Sequence, residues 1–173
     1  GITKDGKAII GTTKEYNTIY KDIMRDAIGG FGATLIRNGQ IVVKKSANHT
    51  SSRASRTAVG ITAEGKVIMM VLDGRQEPFS CGGSMEEIAQ IMLEAGCVHA
   101  INLDGGGSTT FVAKLPGDDA LSVVNSPSDG VARSVSTSLM IVSTAPSSTA
   151  FDHAIIESDY NYSTIGTPVQ LNP

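Results

Sequence analysis

The chain has 173 residues, of which 40% are hydrophobic and 18% charged, and its formal net charge is −3. This length and composition predict a folded domain with a hydrophobic core and exclude intrinsic disorder. The negative net charge, without a run of lysine and arginine, argues against a surface that binds nucleic acid. No stretch reaches the roughly 18 apolar residues that a membrane span needs.

The chain up to residue 72 predicts one short helix and several strands joined by tight turns. Nineteen glycines without a tryptophan favour many turns and a strand-rich fold. Residues 20–28 carry apolar side chains at helical spacing before two glycines, which predicts a helix. Strands that form hairpins are predicted at residues 33–36, 41–43, 57–61 and 67–72. The Asn-Gly pair at residues 38–39 is the strongest of the turn signals between them.

A second helix is predicted from Ser84 to Gly96. Ser84 and Glu87 fit a capping box, and Gly96 is suited to the position just after a helix end. Cys81 and Cys97 flank this helix, whose ends lie about 18–20 Å apart at 1.5 Å per residue, too far for a disulfide. Both cysteines are therefore predicted to be free thiols packed as small hydrophobic side chains, and a nucleophilic Cys81 is the less favoured alternative.

The segment at residues 102–110 is the most informative part of the chain. It follows an apolar strand predicted at residues 98–101 and consists of Asn, Leu, Asp, three glycines, Ser and two threonines. Consecutive glycines lose much backbone entropy on folding, so they favour a backbone with positive φ or the close approach of a ligand. Asp104 then stands at a strand end, beside amides and hydroxyls that can contact an anion or sugar oxygens. A tight turn of small polar residues is the alternative interpretation.

The remaining chain predicts loops, a final strand and a change of composition. Residues 111–113 are strand-like, and residues 135–142 predict a last strand that is largely buried toward its end. A linker of small residues is expected at 144–150, followed at 151–173 by the start of an immunoglobulin-like β module. Because the chain opens in a turn-like phrase without an initiator methionine, we expect it to be a piece of a longer, multidomain protein.

Several phrases resemble one family in order and spacing. They lie at residues 55–60, 71–75, 84–87, 102–111, 125–128 and 133–137. On these phrases the chain resembles a phosphodiester glycosidase domain from about residue 26 to residue 142. The resemblance implies an α+β domain at residues 1–143 with twisted mixed or antiparallel sheets and a few helices. It also implies that an N-terminal segment present in the family is missing here, or is supplied by another chain.

The resemblance further implies hydrolysis of a sugar-1-phosphodiester to a free sugar and a phosphomonoester. Asp104 is assigned as the acid/base or nucleophile, and Asp73 as its partner or as the residue that orients an arginine. Arginine suits the substrate because its guanidinium binds a phosphoryl group through two hydrogen bonds. The predicted substrate-binding residues are Arg56, Arg75, Gly105, Gly106, Gly107, Ser108, Thr109, Asn125 and Arg133.

No cofactor is predicted, because the three histidines lack the spacing of zinc ligands. Asp104, Asn102 and glycine carbonyls could hold Ca²⁺, but the run lacks the pattern of a calcium-binding loop. The expected partner is a sugar phosphodiester or another glycan, and the expected location is extracellular or at the cell surface. Two functions stay open: a hydrolase that acts on cell-surface or polysaccharide material, and a non-catalytic surface module that binds carbohydrate or phosphate.

Overall fold

The computed structural model describes residues 1–44, 50–115 and 118–146, together with the backbone of residues 157–158 and 171–172. The chain divides into two compact units, of which the larger contains residues 1–112 and 123–138. The smaller unit contains residues 113–122 and 139–173. All of the predicted site residues lie in the larger unit.

Short strands dominate the described residues. The strands are β1 (Ile2–Thr3), β2 (Met24–Asp26), β3 (Thr34–Arg37), β4 (Gln40–Ile41), β5 (Arg56–Thr62), β6 (Val67–Leu72), β7 (Cys97–Asn102), β8 (Val112–Ala113), β9 (Ser122–Val123), β10 (Glu157–Ser158) and β11 (Leu171–Asn172). The α-helices are α1 (Thr13–Glu15), which continues into a π-helical turn at Tyr16–Tyr20, and α2 (Met85–Glu94). This composition confirms the predicted α+β class.

A five-stranded sheet with the order β4-β3-β7-β5-β6 forms the centre of the larger unit. Each neighbouring pair in it is antiparallel. Helix α2 covers this sheet, since its buried side chains belong to the same apolar cluster as residues from β3, β5 and β7. The cluster consists of Leu35, Ile36, Ala58, Met85, Ile88, Ala89, Met92, Cys97 and Ala100.

The structure confirms the prediction for α2. The Ser84 side chain accepts a hydrogen bond from the backbone N–H of Glu87, and the Glu87 carboxylate accepts one from the Ser84 N–H, which completes the capping box. Gly96 follows the helix with φ = 87°, a left-handed conformation that glycine adopts without steric cost. Cys81 and Cys97 are both free, the first exposed and the second buried.

The predicted hairpins are also present. Strands β3 and β4 are joined by Asn38 and Gly39, with φ values of 50° and 72°, the combination expected for an Asn-Gly hairpin turn. Strands β5 and β6 pair over six residue positions from Arg56 to Ile61. Their turn contains Gly65 at φ = 82°.

Two predicted elements are wrong. The helix expected at residues 20–28 is replaced by β2, which pairs with β1 at the start of the chain. Hydrogen bonding to another strand outweighs the helical spacing there, and Ile23 and Ile28 stay partly exposed rather than forming a buried helical face.

The strand expected at residues 135–142 is absent from the structure. No described strand pairs with this segment, so its β-forming residues lack the ladder that would hold them extended. Met140, Ile141 and Val142 are 75%, 82% and 72% exposed, contrary to the predicted burial.

The predicted linker at residues 144–150 lies partly outside the described residues, and the predicted β module at 151–173 lies mostly outside them. Strands β10 and β11, which fall within that module, pair as an antiparallel two-stranded sheet. These two boundaries stay predictions. Among the described residues, no helix has the length and apolar character required to cross a membrane.

Candidate functional site

Three strands bring the predicted site residues to one end of the central sheet. Because the strands are antiparallel, β5 begins at the edge where β6 and β7 end: Arg56 pairs with Leu72, and Ala58 pairs with Asn102. Asp73 immediately follows the end of β6, and Asp104 lies two residues after the end of β7. The acids that the sequence placed at strand ends therefore share one edge of the sheet.

The glycine turn (residues 105–107) and the residues just before it pack directly against the start of β5. The backbone N–H of Gly106 donates to the Ser55 carbonyl oxygen at 2.8 Å, and that of Leu103 donates to the Thr57 carbonyl oxygen at 2.8 Å. A Cβ atom added to Gly105 would lie 2.8 Å from the Ser55 oxygen, and Gly106 has φ = 59°. The first two glycines are thus required by this turn, since one allows close backbone approach and the other adopts a left-handed conformation.

Asn125 ties the segment after β6 to the segment after β7. Its side-chain Nδ2 donates to Asp73 Oδ1 at 2.8 Å and to the Thr109 carbonyl oxygen at 3.3 Å. Its Oδ1 accepts from the Phe111 N–H at 2.7 Å. The other Asp73 oxygen accepts from the Ser126 N–H at 2.9 Å. Both oxygens of Asp73 are therefore engaged in holding the site together.

Two further polar contacts, which the sequence did not predict, support the same region. Gln76 and Ser126 form a reciprocal pair: Gln76 Nε2 donates to the Ser126 carbonyl oxygen, and Ser126 Oγ donates to Gln76 Oε1, both at 2.7 Å. Ser55 Oγ donates to the Gly74 carbonyl oxygen at 3.1 Å. These residues are separated widely in sequence, so no local spacing identifies them.

The three predicted arginines have different surroundings. Arg56 is only 5% exposed, and its Nε donates to the Gly83 carbonyl oxygen at 3.0 Å. Burial, and secondly the positive charge of Arg75, lower the pKa of the Arg56 guanidinium. Arg56 thus supports the start of β5 from inside the protein.

Arg75 lies on the outside of the same region. Its φ is 60°, uncommon for a residue other than glycine, and its guanidinium lies against Gly106, where an added Cβ would be 3.1 Å from Nη1. Among the described residues, the Arg75 guanidinium has no hydrogen-bond or ion-pair partner. It is a cation held beside the glycine turn and available to an anion.

Arg133 contacts the third glycine. Its Nε donates to Asp129 Oδ2 at 3.0 Å, and its Nη2 contacts the same oxygen. A Cβ atom on Gly107 would collide with both the Arg133 guanidinium and the Asp129 carboxylate. Asp129 was not predicted from the sequence, and its spacing of four residues from Arg133 indicates an ion pair only within a helix, whereas this segment is not helical.

The polar residues of the turn divide into exposed and buried groups. Asp104 is exposed, and the one hydrogen bond recorded for its side chain within the described residues comes from the neighbouring Gly105 N–H, at 3.0 Å. Ser108 is partly buried and ends a short 3₁₀ turn. Thr109 is fully buried, and its hydroxyl accepts from the Thr57 hydroxyl at 3.2 Å. Thr109 therefore contributes to the packing under the turn.

The structure contains no metal cluster among the residues it describes, that is, no group of three or more His, Cys, Asp or Glu side chains suited to an ion. Asn102, considered for Ca²⁺ with Asp104, is 1% exposed. Its Nδ2 donates to the carbonyl oxygens of Phe31 and Leu103. Its side-chain amide accordingly anchors the end of β7 to the backbone.

The Asn125 contacts lead to a stability prediction. In Asn125→Asp, a carboxylate would face the Asp73 carboxylate and the donor to Asp73 Oδ1 would be lost. Like charges at hydrogen-bond distance and the loss of a partly buried donor are expected to lower the free energy of unfolding by about 2 kcal/mol. Urea unfolding measures this change. Asn17→Asp, at an exposed position, is the matched control and is expected to shift stability by less than about 0.5 kcal/mol; equal effects would contradict the proposed role of Asn125.

Comparisons with known proteins identify the family. A family model described as phosphodiester glycosidase matches residues 1–142, which also includes the N-terminal residues not covered by the resemblance seen in the sequence. The N-acetylglucosamine-1-phosphodiester alpha-N-acetylglucosaminidases of Bos taurus and Homo sapiens are each 32% identical over 126 residues, covering 65% of this chain and 24% of each relative.

A solved structure agrees with this match. The catalytic domain of the zebrafish N-acetylglucosamine-1-phosphodiester alpha-N-acetylglucosaminidase is 31% identical, with a TM-score of 0.59. The similarity covers 74% of this chain and 44% of that one. The chain therefore spans about a quarter of the length of the curated mammalian relatives and less than half of the zebrafish domain. By sequence and by structure, the chain belongs to the phosphodiester glycosidase family.

Proposed function

We propose that this domain hydrolyses the glycosidic bond of a sugar-1-phosphodiester, giving a free sugar and a phosphomonoester, on cell-surface or polysaccharide material outside the cell. The observation that carries the proposal is the glycine turn at the end of β7. Asp104 is exposed next to this turn, and the guanidinium of Arg75, which has no hydrogen-bond or ion-pair partner among the described residues, lies against Gly106. Membership of the phosphodiester glycosidase family supports the same reaction class.

Each group has a role that follows from its surroundings. The diester carries one negative charge, which the exposed guanidinium of Arg75 can bind through two N–H groups. Asp104 acts at the anomeric carbon of the sugar: either it deprotonates the water that attacks this carbon, or it attacks the carbon itself and forms a glycosyl ester that water then hydrolyses. The bond between the anomeric carbon and the phosphate oxygen breaks, and the phosphomonoester leaves with the bonding electron pair. Backbone amides of Gly105, Gly106 and Gly107, with Ser108, are the proposed contacts to phosphate or sugar oxygens.

Asp73 is proposed as a positioning residue. Both of its carboxylate oxygens accept hydrogen bonds, from Asn125 and from Ser126. A carboxylate bound in this way holds two segments of the site in place. Asn125 is likewise held by three contacts, so its proposed contact with a sugar hydroxyl would use its remaining hydrogen-bonding capacity.

The first substrate to test is an N-acetylglucosamine 1-phosphodiester, because the curated relatives are named for it. The experiment measures sugar release from a panel of sugar-1-phosphodiesters that share one aglycone and differ in the sugar and its anomeric configuration. Sugar release from at least one of them, with stoichiometric phosphomonoester, is the expected result. Release of a sugar 1-phosphate together with the free alcohol of the aglycone would show that the bond between the phosphate and the aglycone is cleaved instead of the glycosidic bond. This result would contradict the proposal.

A non-catalytic module that binds carbohydrate or phosphate is the second candidate. It is favoured by the hydrogen bonds that tie both Asp73 oxygens to Asn125 and Ser126, because they give Asp73 a positioning role, whereas most glycosidases use two carboxylates in the reaction. Binding of the diesters without any turnover, measured by calorimetry on the same panel, would support this candidate over the hydrolase.

A further inference from the structure

The Asp129–Arg133 pair occupies a specific place on the proposed site. Nε and Nη2 of Arg133 both contact Asp129 Oδ2, which leaves three of its five N–H donors for other groups. Both oxygens of Asp129 lie against the space where a Gly107 side chain would be. The pair thus lies against the glycine turn, and there is space for it because residue 107 has no side chain.

This arrangement puts a negative charge beside a guanidinium that was predicted to bind phosphate. The Asp129 side chain is 39% exposed and that of Arg133 51% exposed, so both can be reached from solvent. The paired carboxylate cancels much of the charge of Arg133 without blocking its remaining donors. Arg75, which lies at Gly106, has no such carboxylate partner among the described residues. Of the two guanidinium groups that lie against the glycines, Arg133 therefore has a carboxylate partner, and Arg75 has none among the described residues.

We infer that Asp129 is a specificity-determining residue that makes this site prefer a singly charged phosphodiester over a doubly charged phosphomonoester. The inference rests on the proposed function for the identity of the two ligands. A diester has one charge, whereas a phosphomonoester has about −1.5 to −2 at pH 7, because its second pKa is near 6. The single charge of the Arg75 guanidinium matches the first, and the Asp129 carboxylate repels the additional charge of the second. The same repulsion would help the phosphomonoester product to leave.

The test measures dissociation constants by calorimetry for N-acetylglucosamine 1-phosphate and for its methyl phosphodiester. The proteins are the parent chain and Asp129→Asn, each also carrying Asp104→Asn so that the diester is not consumed. A unit charge about 4 Å away in a solvent-exposed site changes binding by roughly fivefold. For the diester, which carries one charge, we expect Asp129→Asn to bind up to about fivefold more tightly. For the monoester, with about −1.5 to −2 at pH 7, the expected gain is larger, roughly ten- to thirtyfold.

Two variants separate this effect from general changes of charge or shape. Asp26→Asn removes the same charge from another exposed ion pair, that of Arg25 and Asp26 on β2, and is expected to leave both affinities unchanged. Asp129→Glu keeps the charge and is expected to retain the preference for the diester. Arg133→Gln combined with Asp129→Asn tests whether Arg133 supplies the attraction, and it is expected to abolish the gain in monoester affinity.

The outcomes distinguish this inference from the proposed function. An equal gain for both ligands, or no gain for the monoester, would overturn the role of Asp129 even if the parent chain hydrolyses diesters. A selective gain for the monoester in a chain that never turns over would support Asp129 and count against the hydrolase. If neither the monoester nor the diester binds to any of the proteins, the inference is overturned, because there is then no phosphate site whose specificity Asp129 could determine.

Discussion

Replacing Asp104 with asparagine is expected to lower kcat on a sugar-1-phosphodiester by about a hundredfold to ten-thousandfold, the usual contribution of a general acid or base. Asparagine has nearly the same shape and keeps an oxygen that can accept the Gly105 N–H, the one hydrogen bond recorded for the Asp104 side chain in the described residues. It loses the negative charge and the ability to take up a proton. Asp104 is exposed, so the substitution is expected to leave the fold intact.

The measurement is initial rates of sugar release for the parent chain and Asp104→Asn, with urea unfolding of both to verify equal stability. Asp119→Asn, an exposed aspartate in the other compact unit, is the matched control and is expected to have full activity. Equal kcat for the parent chain and Asp104→Asn would remove Asp104 from the chemistry. A rise in KM at unchanged kcat would instead assign Asp104 to substrate binding.

Gly74→Ala is expected to lower the free energy of unfolding by about 3 kcal/mol or more. A Cβ atom at this position would lie 2.6 Å from the Gly82 Cα, 2.6 Å from the Ser55 N and 2.7 Å from the Ala54 carbonyl carbon. All three are backbone atoms, which cannot move aside as the end of a side chain can. Relief would require displacing the segment before β5, which also accepts the Gly106 hydrogen bond.

Urea unfolding compares Gly74→Ala with Gly29→Ala, the matched control. Gly29 has no atoms within 4 Å of an added Cβ and does not adopt a left-handed backbone, so its substitution is expected to be neutral or stabilising by up to about 1 kcal/mol. If Gly74→Ala folds with parent stability, the close packing of these three segments does not hold. If it is destabilised but still folded, sugar release is expected to fall as well, because the displaced segment supports the glycine turn.

Local sequence patterns determined several parts of this protein. The capping box and the terminal glycine defined α2, the Asn-Gly pair defined the β3–β4 hairpin, and alternating strands and turns defined β5 and β6. These features depend on hydrogen bonds and φ angles within a few residues, so a single sequence contains the information. The order of the family phrases was also visible in the sequence, and it correctly identified the family.

Elements that need a distant partner were decided by the tertiary structure. Residues 24–26 form a strand because β1 pairs with them, and residues 135–142 do not, because no described strand is available to them. Propensity is weak in both places, so the presence or absence of a hydrogen-bonded neighbour decides the conformation.

The site shows the same division. The sequence placed Asp73 and Asp104 at strand ends and selected the arginines, because residue type and adjacency are local properties. Only the antiparallel order of β6, β5 and β7 brought those ends to one edge of the sheet. The tertiary structure alone then distinguished the occupied carboxylate of Asp73 from the exposed one of Asp104, and placed Asp129 on Gly107. These hydrogen bonds join residues that are about 50 positions apart in the chain. Such partners depend on how the segments pack, which the spacing of residues in the sequence does not encode directly.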